Sequence, residues 1–138
     1  MPTLVNRRTV HVEWGDCDPA GIVYFPRFFE YFDASTNALF ERVGLPKPEM
    51  LAKYQILGIP IVETRARFLL PSSFGETVAI ESSIAEWGTS SFSVHHRLLK
   101  DGVLAAEGFE KRVWTVRFGS KLQSQPIPRE VIDRFEKE

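Results

Sequence analysis

The chain has few of the features that mark secreted or membrane-spanning proteins. One cysteine, Cys17, occurs among its 138 residues, so no disulfide can form within one chain. No run approaches the roughly 20 apolar residues of a membrane span, and the N-terminal segment lacks the apolar core of a signal peptide. We therefore expect a soluble protein of the cytoplasm that does not bind membranes.

Neither sign of charge is in clear excess. The sequence contains 17 Lys and Arg and 18 Asp and Glu, which gives a formal net charge of -1. Such a chain has no global field that would attract nucleic acid or an anionic membrane, so neither is expected as a partner. An anionic ligand would have to be held by local charges or by helix ends.

Aromatic residues, in contrast, are abundant, with 11 Phe and 3 Trp. Together with a hydrophobic content of 43%, they predict a large apolar core, an interface or a pocket for an apolar ligand. No repeat or linker divides the chain, so residues 1–138 are expected to form one domain. Residues 129–136 are predicted to form an amphipathic helix, which we interpret as a disposable tail.

Residues 26–43 are predicted to form the longest helix. Pro26 suits the first turn of a helix, and apolar residues then recur at three- and four-residue spacing. Gly44 fits the position just past the helix end, and Pro46 prevents continuation. A second, short helix is predicted within residues 49–53.

Other segments have the composition or the period of strands. In residues 62–70 the alternation predicts one buried and one wetter face. Short turns, such as Asp101-Gly102, make sequential strands antiparallel. We predict an α+β protein in which a curved antiparallel sheet of about five strands wraps around one long central helix, the hot-dog fold. Open sheet edges favour a homodimer paired edge to edge. The predicted strands are residues 9–14, 62–70, 77–86, 91–99 and 103–118.

The segment 15–26, GDCDPAGIVYFP, has the composition of a functional loop between a strand and a helix. Free amides at the start of the following helix can stabilise negative charge on a carbonyl oxygen. A nearby carboxylate can attack that carbonyl or activate water, and Gly21 would allow a substrate to approach closely. The same residues also suit a structural turn in which Asp16 or Asp18 caps backbone amides.

The string GDCDPAGIVYFPRFFEYFDA at residues 15–34 resembles the signature of the 4-hydroxybenzoyl-CoA thioesterase family. GLP at 44–46, GIPIV at 58–62 and EW at 86–87 are also similar, and the resemblance extends over roughly residues 9–118. It implies a thioesterase that hydrolyses an aromatic or short acyl-CoA. The acyl-CoA is then the substrate, and neither a metal nor a separate cofactor is implied.

The resemblance also implies roles for individual residues. Asp18 is expected to be the catalytic carboxylate, as nucleophile or as general base. The backbone amides near Tyr24 and Phe25 are expected to polarise the thioester carbonyl. Members of the family form dimers, often paired into tetramers, with sites at the subunit interface. The residues assigned to substrate binding are Gly21, Ile22, Asp33 and Pro60.

Two departures from the family pattern concern the substrate. Members specific for the 4-hydroxybenzoyl group carry a basic cluster after the EW pair, which helps to hold the CoA phosphates. Gly-Thr-Ser-Ser stands there in this chain, at residues 88–91. Those members also carry a Trp after the GLP turn, where this chain has Lys47 and Pro48. The acyl group is therefore left open, and the CoA phosphates are assigned to Arg65, Arg67 and Lys100.

Other residues have competing interpretations. Cys17 is a candidate nucleophile, but no His lies near it in sequence to form the thiolate, so a spectator role is favoured. His95 and His96 are neighbours on one strand and face opposite sides, so they do not readily bind one metal, and no metal site is expected. A solvated strand face is a further interpretation of Glu63, Arg65 and Arg67.

Two other functions compete with hydrolysis. A hot-dog hydratase or dehydratase would pair a His with an Asp or Glu for proton transfer, and the loop 15–26 contains no His. A non-catalytic module would bind acyl-CoA or an acylated carrier protein without releasing thiol. Enoyl absorbance after incubation with a 3-hydroxyacyl-CoA would identify the first, and an assay of thiol release separates the second from a thioesterase.

Overall fold

The computed structural model describes residues 3–136, within which three helices and seven strands form. None of the helices in this part of the chain is both long and apolar enough to cross a bilayer. The helices are α1 (Pro26–Arg42), α2 (Lys47–Tyr54) and α3 (Arg129–Phe135). The strands are β1 (Asn6–His11), β2 (Ile61–Phe68), β3 (Thr77–Trp87), β4 (Ser91–Lys100), β5 (Val103–Val113), β6 (Thr115–Phe118) and β7 (Lys121–Ser124).

Five strands form one sheet in the order β1-β3-β4-β5-β2, and every neighbouring pair is antiparallel. Strands β3, β4 and β5 follow one another in sequence and in space because short turns join them. At the turn between β4 and β5, Asp101 and Gly102 both have positive φ, as a tight two-residue hairpin requires. The predicted α+β class and the five-stranded antiparallel sheet are confirmed.

Helix α1 packs on the sheet beside β1, β3 and β4. It begins at Pro26 and is followed by Gly44, whose φ of +83° ends the helix, as predicted. The ring of Phe32 lies so close to Gly108 of β5 that a Cβ there would meet ring atoms at 2.5 Å. The close approach of α1 to the sheet therefore requires glycine at this position. The buried residues of α1 are Phe28, Tyr31, Phe32, Ser35, Thr36, Leu39 and Phe40.

The C-terminal helix α3 belongs to the core, so its interpretation as a disposable tail is wrong. Val131 and Phe135 are fully buried. The ring of Phe135 lies 4.8 Å from that of Phe40 and 5.4 Å from that of Trp87, centre to centre. An amphipathic pattern shows that a helix covers something but not what it covers. The helices predicted within residues 49–53 and at 129–136 are present as α2 and α3, so the described chain has two shorter helices besides α1.

Two strand predictions are also corrected. Trp14, expected in the first strand, lies in a 3-10 turn after β1 and is 60% exposed. The strand predicted over residues 103–118 is interrupted at Trp114, whose side chain is buried. Beyond it the chain pairs with β7, a short strand that the sequence pattern did not reveal.

Strand β2 is exposed on both faces, contrary to the prediction of one buried face. It forms an edge of the sheet, with β5 on one side and no strand of the described chain on the other. Val62 is 59% exposed and Phe68 is 48% exposed. The apolar alternation is present, but nothing else in residues 3–136 buries it.

Candidate active site

The loop between β1 and α1 folds back as a small hairpin. An isolated antiparallel bridge joins Cys17 to Val23. Between them the Gly21 N–H donates to the carbonyl of Asp18 at 2.9 Å and closes a four-residue turn. Gly21 has a φ of +82°, a conformation that favours glycine, and Pro19 presets the second position of the turn. The sequence DPAG thus determines the local shape.

One oxygen of the Asp18 carboxylate caps this turn. Oδ1 accepts a hydrogen bond from the Ala20 N–H at 2.8 Å. Oδ2 accepts none from any residue between 3 and 136, and the side chain is half-buried. The structural and the chemical interpretation of Asp18 are therefore compatible, since one oxygen fixes the orientation and the other is left for a ligand.

Asp16 has a different role from Asp18. Its Oδ2 accepts hydrogen bonds from the Tyr31 hydroxyl at 2.9 Å and from the Glu13 N–H at 3.1 Å. Burial, and then the bond to Asp16, raise the pKa of Tyr31 above its ordinary value, so the phenol remains a donor. Asp16 thus ties the loop to α1.

The start of α1 presents one free backbone donor. The Tyr24 N–H donates to the carbonyl of Asp16 at 2.8 Å, so the assignment of this amide to the thioester carbonyl is wrong. The Phe25 N–H has no acceptor within the described chain, and Pro26 has no N–H. The amide of Phe25 is therefore the one that a ligand can reach at this helix end.

An apolar cavity of about 320 Å³, the proximal cavity, lies beside Phe25. Asp18 and Gly21 are not among its lining residues and lie on the adjoining turn. Ile22, assigned to substrate binding, does line it. The walls of the proximal cavity come from the loop, the start of α1 and the segment after β2. They include Ile22, Val23, Phe25, Phe28, Phe68 and Leu69.

A second cavity of about 370 Å³, the distal cavity, contains the other two residues assigned to substrate binding. Asp33 and Pro60 line it together with Lys47, Ile61 and other residues. A helix rises 1.5 Å per residue, so Asp33 lies about 12 Å along α1 from Phe25. One chain therefore divides the predicted substrate contacts between two separate cavities.

A buried polar network, missed in the sequence, forms one wall of the distal cavity. Arg112 donates through Nη2 to Asp33 Oδ1 at 2.7 Å and through Nε to Glu110 Oε1 at 2.9 Å. The same Glu110 oxygen accepts from the Thr36 hydroxyl at 2.6 Å and lies 3.6 Å from Nε2 of His96. Asp33 is therefore held in place by a buried guanidinium.

Burial controls the charge of this network. It lowers the pKa of His96, which stays neutral, against the opposing effect of Glu110. Burial alone would raise the pKa of Glu110, but His96 and Arg112 hold it below its ordinary value. A sequence signal did exist, because Glu110 and Arg112 continue the inward-facing alternation of Gly108 on β5.

Two of the basic residues assigned to CoA phosphates lie on the outer face of the sheet, away from α1. Arg67 stands opposite Glu107 and forms an ion pair with it at 2.8 Å. Arg65 stands opposite Phe109, and its guanidinium lies 4.1 Å over the centre of that ring. Arg65 forms no ion pair within residues 3–136, so its charge is the freer of the two.

Lys100, the third residue assigned to the CoA phosphates, lies apart from Arg65 and Arg67. It pairs with Val103 at the end of β4, four residues from Glu107 and thus about 13 Å away along β5. Its amine lies 3.0 Å from the carboxylate of Glu76 and donates to the carbonyl of Pro71. Lys100 therefore fastens a turn.

The remaining candidates are unsuited to catalysis. Desolvation, and then the charges of Asp16 and Asp18, raise the pKa of the Cys17 thiol, which keeps it protonated. His96 is fully buried, while His95 faces the other side of the sheet, as predicted. Residues 3–136 contain no cluster of three side chains that could hold a metal ion.

Comparison with known sequences gives one family and several relatives. The sequence model of a protein family described as the thioesterase-like superfamily matches residues 12–135. A 4-hydroxybenzoyl-CoA thioesterase from Pseudomonas sp. strain CBS-3 is 34% identical over 128 residues, which cover 88% of this chain and 91% of that protein. A 1,4-dihydroxy-2-naphthoyl-CoA hydrolase from Synechococcus sp. strain WH7803 is 28% identical over 76% of this chain and 72% of its own.

Solved structures of such enzymes have the same fold. The Pseudomonas thioesterase superposes with a TM-score of 0.87 at 31% identity, over 94% of this chain and 98% of its own. A gentisyl-coenzyme A thioesterase does so with a TM-score of 0.83 at 34% identity, over 96% and 100%. An aspartate-to-asparagine mutant of 4-hydroxybenzoyl-CoA thioesterase, complexed with 4-hydroxybenzoyl-CoA, has a TM-score of 0.88 at 30% identity, over 95% and 98%.

Proposed function

The chain belongs to the thioesterase-like superfamily and is a thioester hydrolase with the hot-dog fold, and we propose that its substrate is an aromatic acyl-CoA similar to 4-hydroxybenzoyl-CoA. Two relatives near one-third identity are named for 4-hydroxybenzoyl-CoA and gentisyl-CoA, whose acyl groups are both hydroxylated benzoyl rings. The observation that carries the proposal is that one closed loop bears both a free carboxylate oxygen on Asp18 and the free amide of Phe25.

In the proposed reaction the thioester carbonyl accepts a hydrogen bond from the Phe25 N–H. Negative charge develops on that oxygen as the carbonyl carbon becomes tetrahedral, and a fixed donor at a helix start stabilises it without reorganisation. The positive end of the α1 dipole acts in the same direction. The apolar walls of the proximal cavity strengthen the interaction because they exclude water.

Asp18 acts on the carbonyl carbon by one of two routes. As nucleophile, its free oxygen attacks the carbon, the C–S bond breaks, the CoA thiolate leaves and is protonated, and water then hydrolyses the acyl-aspartyl anhydride. As general base, it takes a proton from water as that water attacks, and the proton passes to the leaving thiolate. Asp18, the amide and water supply every group that either route uses, so the proposal includes neither a metal nor a cofactor.

A second copy of the chain would complete this site. Strand β2 is one of the two edge strands of the sheet, the other being β1, and antiparallel pairing with another β2 sets its first residues beside the last residues of the partner's β2. Pro60 and Ile61, at the first end, line the distal cavity, while Phe68 and Leu69, at the other, line the proximal cavity. A homodimer therefore joins the proximal cavity of one subunit to the distal cavity of the other.

The test is thiol release from benzoyl-CoA, 4-hydroxybenzoyl-CoA, phenylacetyl-CoA and a medium-chain acyl-CoA by the wild type and by Asp18→Asn. We expect the aromatic esters to be hydrolysed fastest and the substitution to lower kcat by at least about 10³-fold while KM changes little. Asp16→Asn is the matched control, because it changes a carboxylate of the same loop that is already bonded to Tyr31 and Glu13. Its kcat should fall far less.

Three results would reject the proposal. Full turnover by Asp18→Asn would show that Asp18 is not the catalytic carboxylate. Binding of acyl-CoA without any thiol release by the wild type would indicate a binding module. Formation of an enoyl product from a 3-hydroxyacyl-CoA would indicate a dehydratase, although the buried position of His96 and Glu110 disfavours proton transfer to a substrate.

A further inference from the structure

The β2 edge of the sheet carries a short alternation of charge. Glu63, Arg65 and Arg67 of β2 all point to the outer face. Arg67 is already paired with Glu107 of its own chain at 2.8 Å. Within residues 3–136 neither Glu63 nor Arg65 forms an ion pair. The edge therefore presents one carboxylate and one guanidinium, two positions apart, on the same face.

The backbone of β2 can also pair with another strand along the edge that faces away from β5. The Leu69 N–H donates to the carbonyl of Ala105, which continues the register of β2 with β5. The direction of the backbone amide groups alternates along an antiparallel strand. The N–H and C=O groups of Arg65 therefore point to β5, as the N–H of Leu69 does, while those of Thr64 and Ala66 point away from β5. Another strand can add there, with Thr64 and Ala66 making the hydrogen bonds.

Symmetry restricts how two copies of β2 can pair. In a two-fold antiparallel pair, one residue lies opposite its own copy and the others are paired about it. If the two-fold axis passes between the two copies of Arg65, two guanidiniums lie opposite each other. Centring on Ala66 would set Arg65 opposite the partner's Arg67. Centring on Thr64 sets Glu63 opposite the partner's Arg65 and sets no like charges opposite.

We propose that two copies of this chain pair through β2 with Thr64 opposite the partner's Thr64, so that the ion pair between Glu63 and the partner's Arg65 forms twice. The inference rests on the proposed homodimer and assigns its register. In this register the bulged end of β2 next to Pro60, at the distal cavity, lies beside the partner's Phe68, at the proximal cavity. The pairing covers Val62 and Phe68, which are exposed in the single chain.

Charge exchange tests the ion pairs. Glu63→Arg and Arg65→Glu each set like charges opposite twice, and we expect each to raise the dimer dissociation constant about tenfold at low salt. The double variant Glu63→Arg/Arg65→Glu restores both pairs in reverse and should return to within about threefold of the wild type. Arg67→Gln is the control, since Arg67 is paired within its own chain, and should dimerise normally. Sedimentation velocity over a dilution series measures all four, with circular dichroism to verify folding.

Disulfide trapping tests the register without relying on charge. In a Cys17→Ser background, Thr64→Cys should cross-link to a dimer under mild oxidant, because the two Cα atoms lie opposite each other within the range of a disulfide. Ala66→Cys is the matched control. In the proposed register the two copies of position 66 lie four residues, or about 13 Å, apart along the strands, so this variant should stay monomeric on a non-reducing denaturing gel.

Several outcomes would overturn the register. They are cross-linking of Ala66→Cys in place of Thr64→Cys, cross-linking only in a mixture of the two, and a double charge variant that dimerises as weakly as the single ones. Hydrolysis of benzoyl-CoA by the wild type is measured in parallel. If the ester is cleaved but Thr64→Cys does not cross-link, the register fails and the proposed function stands.

Discussion

The hydroxyl of Tyr31 lies 2.9 Å from Oδ2 of Asp16 and fastens the loop between β1 and α1 to the helix that follows it. The bond has a charged acceptor and is partly buried, which places it among the stronger hydrogen bonds of a protein. It connects two positions that are 15 residues apart in the sequence.

Tyr31→Phe should therefore lower the free energy of unfolding by about 1–3 kcal/mol, since it removes the donor and leaves the ring in place. We also expect a lower kcat for the thioester, because the loop that bears Asp18 loses one of its anchors. Urea denaturation and thiol release measure the two effects. Tyr24→Phe, at an exposed tyrosine, is the control, and an equal effect of the two substitutions would contradict this role.

Gly108→Ala should destabilise the fold by about 1–3 kcal/mol, because the added methyl group meets the ring of Phe32. The ring belongs to a buried helix and cannot move away without opening the core. Gly58→Ala adds the same methyl group where no atom lies within 4 Å and serves as control. A thermal unfolding curve for Gly108→Ala that coincides with that of Gly58→Ala would show that α1 does not approach β5 so closely.

Acidification should destabilise the protein through His96. Burial lowers the pKa of this residue in the folded state, so below the unfolded value of about 6.5 the unfolded chain binds a proton that the folded chain does not. Stability should fall as the pH drops from 7 to 5, with a slope of up to about 1.4 kcal/mol per pH unit from this group. Glu110, whose folded pKa is lowered, adds to the loss only at lower pH.

His96→Gln should flatten this pH dependence while lowering stability at pH 7, because it removes the titrating group from its bonds with Thr36 and Ser82. His11→Gln, at an exposed position, should keep the wild-type slope. Urea midpoints at pH 5, 6 and 7 give the slopes. An unchanged slope in His96→Gln would assign the acid sensitivity to other groups.

Phe135→Ala should cost about 3–5 kcal/mol, as expected for a fully buried aromatic side chain. Phe118→Ala makes the same change at a side chain that is 60% exposed and should cost no more than about 0.5 kcal/mol. Differential scanning calorimetry compares them. Equal melting temperatures would mean that α3 does not contribute to the core.

The sequence predicted best those features that local chemistry determines. Pro26 and Gly44 delimit α1, and Asp101-Gly102 makes a hairpin, because each depends on the φ preference of the residue itself. Resemblance to a family then directed attention to Asp18, although composition alone did not distinguish it from Asp16.

Features that depend on distant contacts were missed. The amide of Tyr24 is taken by Asp16, a hydrogen bond that no local pattern reveals. Arg112 reaches Asp33 across 79 positions of sequence and thereby ties a half-exposed helix carboxylate to a buried network. The exposure of β2 could not be predicted either, because its apolar pattern describes a surface that this chain alone does not cover.

The hairpin that begins at Cys17 sets the spacing of the candidate reacting groups through local bonds, while bonds to Ser72 and Phe74 hold it against the segment after β2. Bonds between near neighbours in the chain, from Asp18 to Ile22 and from Tyr24 to Asp16, set the separation of the carboxylate from the amide of Phe25. Heat tolerance and turnover should therefore respond to different sets of substitutions, and a weakened core such as that of Phe135→Ala should still cleave its ester at the normal rate whenever it is folded.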